Sequence, residues 1–424
     1  MRFRRHASVV AALSVLATTT LQFFALTPAQ AHGGLVALSH HQIQTPPTVK
    51  AVQMNNVKNF GATGDGVTDD TAAIQNAANN AAATGKGVFF PPGTYLHYSS
   101  LTFNGTQVTG SGPGSYLNAG TNSNCAVVLT GQNVSLSNLL ISTASLTGGS
   151  TVGNSLSVGV LIQYASPFTL SNVTLVNGVD RFGVWVIQSG VGLINGCVFN
   201  GTGNITDVGV LLSQASNVIV SNNLFQNEGY CVYSMATPAS QFISVVSNTM
   251  GNVTYPTTLT GIYAVNATDL NIAKNTIQVA NSSVSVPIEL IQCDIVSIQG
   301  NSFWGGVASV FVDNAGPVGT LVIQNTCHNC GGPAVEAINA PSSTVQIVSN
   351  LIGECGLINT SPVIFVTGAG SDPSAYSTYI ANNSYQGHLN FLTFYVQCTF
   401  TAPHIPATNV TGNTQTQTTL SNSI

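Results

Sequence analysis

The sequence predicts an all-β fold, a single solenoid of about ten coils of stacked parallel strand, and three observations carry that expectation. An aliphatic strand ending in asparagine recurs ten times between residues 134 and 385, as in NVIVSNNLFQN, FISVVSNTMGN and TVQIVSNLIGE. Aligning Asn223, Asn248, Asn275, Asn301, Asn325 and Asn350 gives steps of 25, 27, 26, 24 and 25 residues, a period typical of stacked repeats. Charged residues make up only 5% of the chain. Its β-branched content is too high for disorder, so amides and hydroxyls must make the surface polar.

Residues 1–31 read as a secretory signal: Arg2, Arg4 and Arg5 precede the apolar stretch Val9 to Leu26, and Ala29-Gln30-Ala31 is the small-residue cleavage site. The Arg4-Arg5 pair leaves the twin-arginine route open beside ordinary secretion. The expected location is extracellular or periplasmic, with cleavage after Ala31. No later segment is long and apolar enough to span a bilayer. Removing the signal leaves Lys50, Lys58, Lys86, Arg181 and Lys274 against 13 acids, a charge of 5 − 13 = −8. The absence of a basic patch argues against nucleic acid and anionic membranes, and it offers little pull on a polyanionic glycan.

Residues 32–54, with Gly33-Gly34 and Pro46-Pro47, read as a flexible lead-in to a domain over 55–398. Next comes VKNFGATGDGVTDDTAAIQNAANNAAATGKGVFFPPGTY. Asp69 and Asp70 precede an Ala-rich helix over about 71–83, where carboxylates can cap free backbone N–H groups. Gly85 ends that helix, and GVFFPPGTY reads as a strand, a proline break and a turn.

The segment NFGATGDGVTDDTAAIQ…VFFPPGTY resembles the opening motif of the pectate-lyase-like superfamily, which includes rhamnogalacturonases, exo-glucanases, epimerase-like proteins and phage tailspikes. The resemblance is specific over residues 57–95 and generic over the repeats. It implies a right-handed parallel β-helix whose N-terminal end this segment caps, which makes Asp65, Asp69 and Asp70 structural. The polygalacturonase-type motifs Asn-Thr-Asp, Gly-His-Gly and Arg-Ile-Lys, and a paired Asp-Asp within the coils, are not in this sequence.

The early coils are less regular. STASLTGGSTVGNSLS reads as an inserted turn near 142–158, and a second loop is expected around 367–376. Residues 399–424 are polar and uncharged, the composition of a loosely ordered tail or an assembly segment. Cys330 and Cys355 each lie five residues beyond a ladder asparagine, so they should stack about 4.8 Å apart, as a disulfide or as two buried thiols. The CHNC run at Cys327 invites a metal reading, but Cys327 shares an inward row with Phe225, Met250, Ile277, Phe303 and Ile352. No metal ligand set is assigned.

Each coil carries a further strand: FGVWVIQ, VGVLLSQ, YCVYSMA, TGIYAVN, VPIELIQ, ASVFVDN, PAVEAIN and PVIFVTG. Strand alternation gives one aliphatic parity, Val184, Val210, Val232, Ile262, Ile288, Val310, Val335 and Ile364, which must face inward. At the strand ends runs an amide row, Gln188, Gln214, Asn266, Gln292, Asn314 and Asn339. Together with the asparagines it is expected to form structural hydrogen-bonded ladders.

The opposite parity reads Trp185, Leu211, Tyr233, Tyr263, Glu289, Phe311, Glu336 and Phe365. Two glutamates in the row turn it outward, since lone acids are rarely buried. Its aromatics suit stacking on successive sugar units. Coverage by an inserted loop, or by a partner subunit of a homo-oligomer, is the competing explanation for such an apolar column. Glu289 and Glu336 are two coils apart, roughly 9.6 Å between backbones, near the separation used by inverting glycosidases. Asp313, two residues beyond Phe311 on the same parity, is the natural third carboxylate.

The sequence therefore points to a secreted carbohydrate-active protein. The leading expectation is a glycoside hydrolase on an extracellular polysaccharide, with Glu289, Asp313 and Glu336 as acids and bases. Trp185, Tyr233, Tyr263, Phe311 and Phe365 would bind substrate, and no cofactor is required. The alternatives are a lyase, which would bring in calcium or a cation such as Arg181, and a non-catalytic adhesion protein.

Overall fold

The computed structural model describes residues 52–120, 125–143, 157–176, 181–235, 239–251, 260–280, 284–313, 319–338, 344–355, 362–368, 377–386, 394–400, 407–413 and 416–420. The signal, most of the lead-in, the greater part of both inserted loops, Asp180, Asn314 and Asn339 fall outside these residues. No described helix is long and apolar enough to cross a membrane.

Every strand pair is parallel, and the chain winds as a right-handed β-helix of about ten turns. A coil is well shown by Val208–Ser213, Ser216–Ser221 and Leu224–Gln226, each paired with its counterparts one coil away. The first strand of every coil joins a 13-stranded sheet, here the site sheet. The other two rows form a continuous 25-stranded sheet around the remaining faces. Strands Ala407–Thr411 and Thr416–Leu420 carry both sheets past residue 398, into the stretch whose composition suggested a loose tail.

The corners explain how alternating strands turn so sharply. Gln188, Gln214, Asn266 and Gln292 close the first strand with φ between 48° and 54°. Asn222, Ser247, Lys274, Gln324, Ser349 and Asn382 close the second with φ between 54° and 57°. This left-handed region is open to few residues besides glycine, and asparagine enters it most readily. The row Gln188 to Gln292 is thus explained by backbone conformation and not by an amide ladder, a correction to the sequence expectation. Gln188, Gln214 and Gln292 are in fact exposed.

The asparagine row is a ladder. Asn248 donates its backbone N–H at 2.9 Å and its side-chain N–H at 3.0 Å to Oδ1 of Asn275, and donates again to the Val220 carbonyl at 2.9 Å. The same three bonds recur at Asn223, Asn275, Asn301, Asn325, Asn350 and Asn383, and the series ends on Oδ1 of Asn413. Each buried amide is fully employed, which removes the cost of an unpaired polar group. At the other end Cys197 occupies the ladder position, its N–H donating to Asn223 Oδ1 at 2.9 Å and its Sγ lying 3.8 Å from the Leu170 carbonyl.

Inside the coils, aliphatic and aromatic rows stack in register. Val184, Val210, Val232, Ile262, Ile288, Val310, Val335 and Ile364 are all buried, as their parity required. Phe199 and Phe225 stack at 4.5 Å in the third-strand row, where Cys327 is buried between Phe303 and Ile352. Each such side chain contributes about 1.5–3 kcal/mol of burial free energy. Cys330 and Cys355 are joined as a disulfide with Cα atoms 4.5 Å apart, the stacked arrangement their spacing implied.

The N-terminal end is closed by helix α1, Thr71–Thr84, which buries Ile74, Ala77, Ala78 and Ala81 and ends at left-handed Gly85. Gln75 acts as one more strand: its side-chain amide donates to the Thr102 carbonyl and accepts from the Thr102 N–H, each at 3.0 Å. Those bonds satisfy the free edge of the site sheet, which would otherwise invite pairing with another chain. Asp69 accepts from the Thr71 N–H at 3.0 Å and from its hydroxyl. Asp70 is buried and makes no side-chain cap; it accepts from the N–H groups of Thr63 at 2.7 Å and Gly64 at 3.0 Å, pinning the loop. Three loop hydrogen bonds from Val67 and Thr68 hold the exposed Asp65 carboxyl down at about 2.

Candidate active site

The outward row of the site sheet runs unbroken from coil to coil. Its register reads Thr102, Val128, Leu161, Trp185, Leu211, Tyr233, Tyr263, Glu289, Phe311, Glu336, Phe365, Gln397 and Thr419. The column counted from the asparagine spacing is therefore a physical column. It is less open than expected. Leu211 is buried, and Trp185, Tyr233, Tyr263, Glu289, Phe311, Glu336 and Phe365 are each half-buried. Tall neighbours one strand spacing apart cover much of one another.

Tyr230 joins this face, although simple alternation would point it inward with Val232. The pairs Val208–Tyr230–Thr260 and Val210–Val232–Ile262 are in register, but the residues between them, Gly209, Cys231 and Gly261, are not paired. Cys231 and Val232 are both buried, so two consecutive residues turn inward and the alternation breaks while the register is kept. Glycine fits this break because a Cβ at Gly209 would meet the Phe225 ring at 2.6 Å and one at Gly261 would meet Ile277 at 2.4 Å. Tyr230, just ahead of this break, packs against the outward rings of Tyr233 and Tyr263. The recurring glycine in FGVW, VGVL and TGIY was the signal that could have revealed Tyr230.

Three tyrosines thus converge beside Glu289. Ring centroids lie 4.9 Å apart for Tyr233 and Tyr263, 5.6 Å for Tyr230 and Tyr233, and 5.7 Å for Tyr230 and Tyr263. Phe182, in the Tyr230 position two coils earlier, packs edge-on against Trp185 at 6.2 Å. Trp185 Nε1 is buried there with no hydrogen-bond acceptor among the described residues.

Burial sets the proton affinities. Burial, and then the Asp313 charge, push the Glu289 carboxyl from its ordinary 4.5 up to about 7. Burial also raises Glu336 above the usual carboxylate range. Burial, and then the Glu289 charge, push Tyr230 up to about 12 and raise Tyr233 and Tyr263. All three tyrosines therefore carry their protons at neutral pH and can serve as hydroxyl donors.

The register separates the acids unequally. Asp313 pairs with Ile291, one coil beyond Glu289 and two residues along, roughly 8 Å between backbones from the strand rise and spacing. Glu336 lies on the next coil again, across Phe311, so Glu289 and Glu336 are roughly 9.6 Å apart at the backbone. Arg181 starts the strand that carries Trp185, four coils or roughly 19 Å before Glu289. Among the described residues no three His, Cys, Asp or Glu side chains converge to hold a metal ion.

The family model for rhamnogalacturonase A/epimerase, pectate lyase-like, matches residues 54–285, just over half of the chain. The chain belongs to this family. Among solved structures, the tailspike protein gp49 from Pseudomonas phage LKA1 matches with a TM-score of 0.62 and 12% identity, over 84% of this chain and 81% of that one. The surface adhesin PfbA of Streptococcus pneumoniae matches with 0.56 and 15%, over 84% and 92%. A family 28 exopolygalacturonase of Yersinia enterocolitica matches with 0.55 and 14%, over 86% and 79%. At these identities the likeness is one of fold. A probable glucan endo-1,3-beta-glucosidase of Arthroderma benhamiae is 51% identical over 51 residues, and the match spans 10% of this chain and only 6% of that protein.

Proposed function

We propose that this family member is a glycoside hydrolase acting on an extracellular polysaccharide laid along the site sheet. The observation that carries the reading is the placement of Glu289, a partly buried carboxyl raised toward neutral pH, between Tyr263 and Phe311 with a second acid one coil on. Hydrolysis needs one carboxylic acid to protonate the leaving oxygen and one carboxylate to activate water. Glu289 fits the donor. Asp313, the nearest acid on the face, fits the base. Glu336, raised by burial and set across Phe311, completes the pool as a second donor or a 2-hydroxyl contact. Trp185, Tyr233, Tyr263, Phe311 and Phe365 supply ring faces for sugar units on five of eight consecutive coils, with Tyr230 beside them.

The polymer would be met outside the cytoplasm. Arg2, Arg4 and Arg5, the apolar stretch and Ala29-Gln30-Ala31 support export with cleavage after Ala31. The Cys330–Cys355 disulfide is of the kind that persists in an oxidising compartment. N-terminal sequencing of protein recovered from the medium or periplasm should begin at His32.

A lyase has weaker support. Its base must act next to a sugar carboxylate held by a cation, and Arg181 stands too far from Glu289 to serve. A purely adhesive role is the second reading, favoured by the missing polygalacturonase-type motifs. The deciding experiment is reducing-end release from a panel of plant and bacterial glycans by the full chain and by Glu289→Gln and Glu336→Gln. Release lost in Glu289→Gln supports hydrolysis at this site; release unchanged in both variants removes these acids from the reaction, and no release by the full chain removes hydrolysis of these glycans. An unsaturated product absorbing in the ultraviolet would move the chain to the lyases.

A further inference from the structure

We propose that the site accepts a neutral glycan and rejects polyuronates, with Glu289 and Asp313 setting that choice; the inference rests on the site just described. A uronate-binding face must neutralise one carboxylate per sugar, by a guanidinium, an ammonium or a bridging cation. From residue 182 to the end of the chain, Lys274 is the sole Lys or Arg. It is exposed at a left-handed corner of the other sheet, just ahead of the ladder residue Asn275. This count includes every loop of that stretch, so none of those loops carries a Lys or Arg. Arg181 is four coils away. Among the described residues no three His, Cys, Asp or Glu side chains converge.

What the face offers is the chemistry of neutral sugars. Glu289 has Tyr263 and Phe311 as its direct cross-strand neighbours, and Tyr230 and Tyr233 beside Tyr263. Aromatic faces stack on sugar C–H surfaces, tyrosine hydroxyls hydrogen-bond to sugar hydroxyls, and carboxylates accept from them. A uronate would set its charge against Asp313 in a half-buried site, where like charges repel far more than in water.

The test uses matched polymers: polygalacturonate and alginate, each against the same polymer after its carboxylates have been reduced to alcohols. Retention of the full chain is read by affinity electrophoresis at pH 7 in EDTA, and again with calcium, at low and high salt. The neutral polymer of at least one pair should be retained at least about tenfold more strongly than its parent. High salt should narrow that gap, since it screens repulsion. Asp313→Asn should narrow it too. Stronger retention of either uronate, with or without calcium, overturns the inference, as does uronate binding that salt weakens or a failure to retain either neutral polymer. Retention is read apart from cleavage. A neutral preference without reducing-end release overturns the hydrolase reading alone, and release from a uronate without neutral preference overturns this inference alone.

Discussion

Asp313 stands one coil beyond Glu289 and two residues along, close enough for its charge to add to burial in holding the Glu289 proton. The two acids differ in setting, one walled by tyrosines and the other at the strand end beside Ile291 and Ile338. Such a split is what divides a donor from a base. Replacing Asp313 by Asn should therefore lower the Glu289 titration point toward the ordinary carboxylate range without abolishing its elevation, because burial is the larger cause. Carboxyl NMR of the folded variant reads this directly.

Glu289→Gln should stabilise the fold at alkaline pH. The carboxyl ordinarily titrates at 4.5 and is held up to about 7, so between those values the folded chain keeps a proton that the unfolded chain releases. Stability must then fall as pH rises through that window: the penalty is absent below 4.5 and complete above about 7. Denaturation curves at pH 4 should match the parent, and at pH 8 the variant should gain up to about 3 kcal/mol.

The asparagine ladder makes an opposite kind of prediction. Asn275→Leu deprives the N–H and side-chain amide of Asn248 of their shared acceptor and removes one donor each from the Val245 carbonyl and Asn301 Oδ1, which keeps the backbone N–H of residue 275. A loss of about 3 kcal/mol is expected from such buried unpaired groups. Cys197→Asn should do the reverse, extending the ladder one rung between the Leu170 carbonyl and Asn223. A gain of about 0.5–1 kcal/mol would follow, read as a raised Tm.

Much of this was legible because the asparagines served as a ruler. Counting from Asn301, Asn325 and Asn350 aligned Glu289, Phe311 and Glu336, and the strand register places them side by side. Two features were not legible, for local reasons. Tyr230 joins the outward rings because Cys231 and Val232 both turn inward, and strict alternation cannot carry a side chain past such a break. The amides Gln188, Gln214 and Gln292 read as ladder partners, yet left-handed corners explain them. Composition reports that a position is polar; it does not report whether backbone strain or side-chain bonding chose the residue.

The disulfide should matter in proportion to the chain it closes. Cys330 and Cys355 are 25 residues apart, so loop-closure entropy gives about 3.5 kcal/mol to the folded state. The double Ser variant should unfold several degrees lower, and adding reductant to the parent should reproduce the shift.

The donor role of Glu289 has one direct measurement, made with the sugar unit that the active polymer releases. Glycosides with a good leaving group need little protonation, whereas polymer linkages need it fully. Glu289→Gln, folded as judged by circular dichroism, should cut polymer at least about 100-fold more slowly while hydrolysing a dinitrophenyl glycoside within a few-fold of the parent rate. An equal loss on both substrates, or no loss on the polymer, would contradict the account.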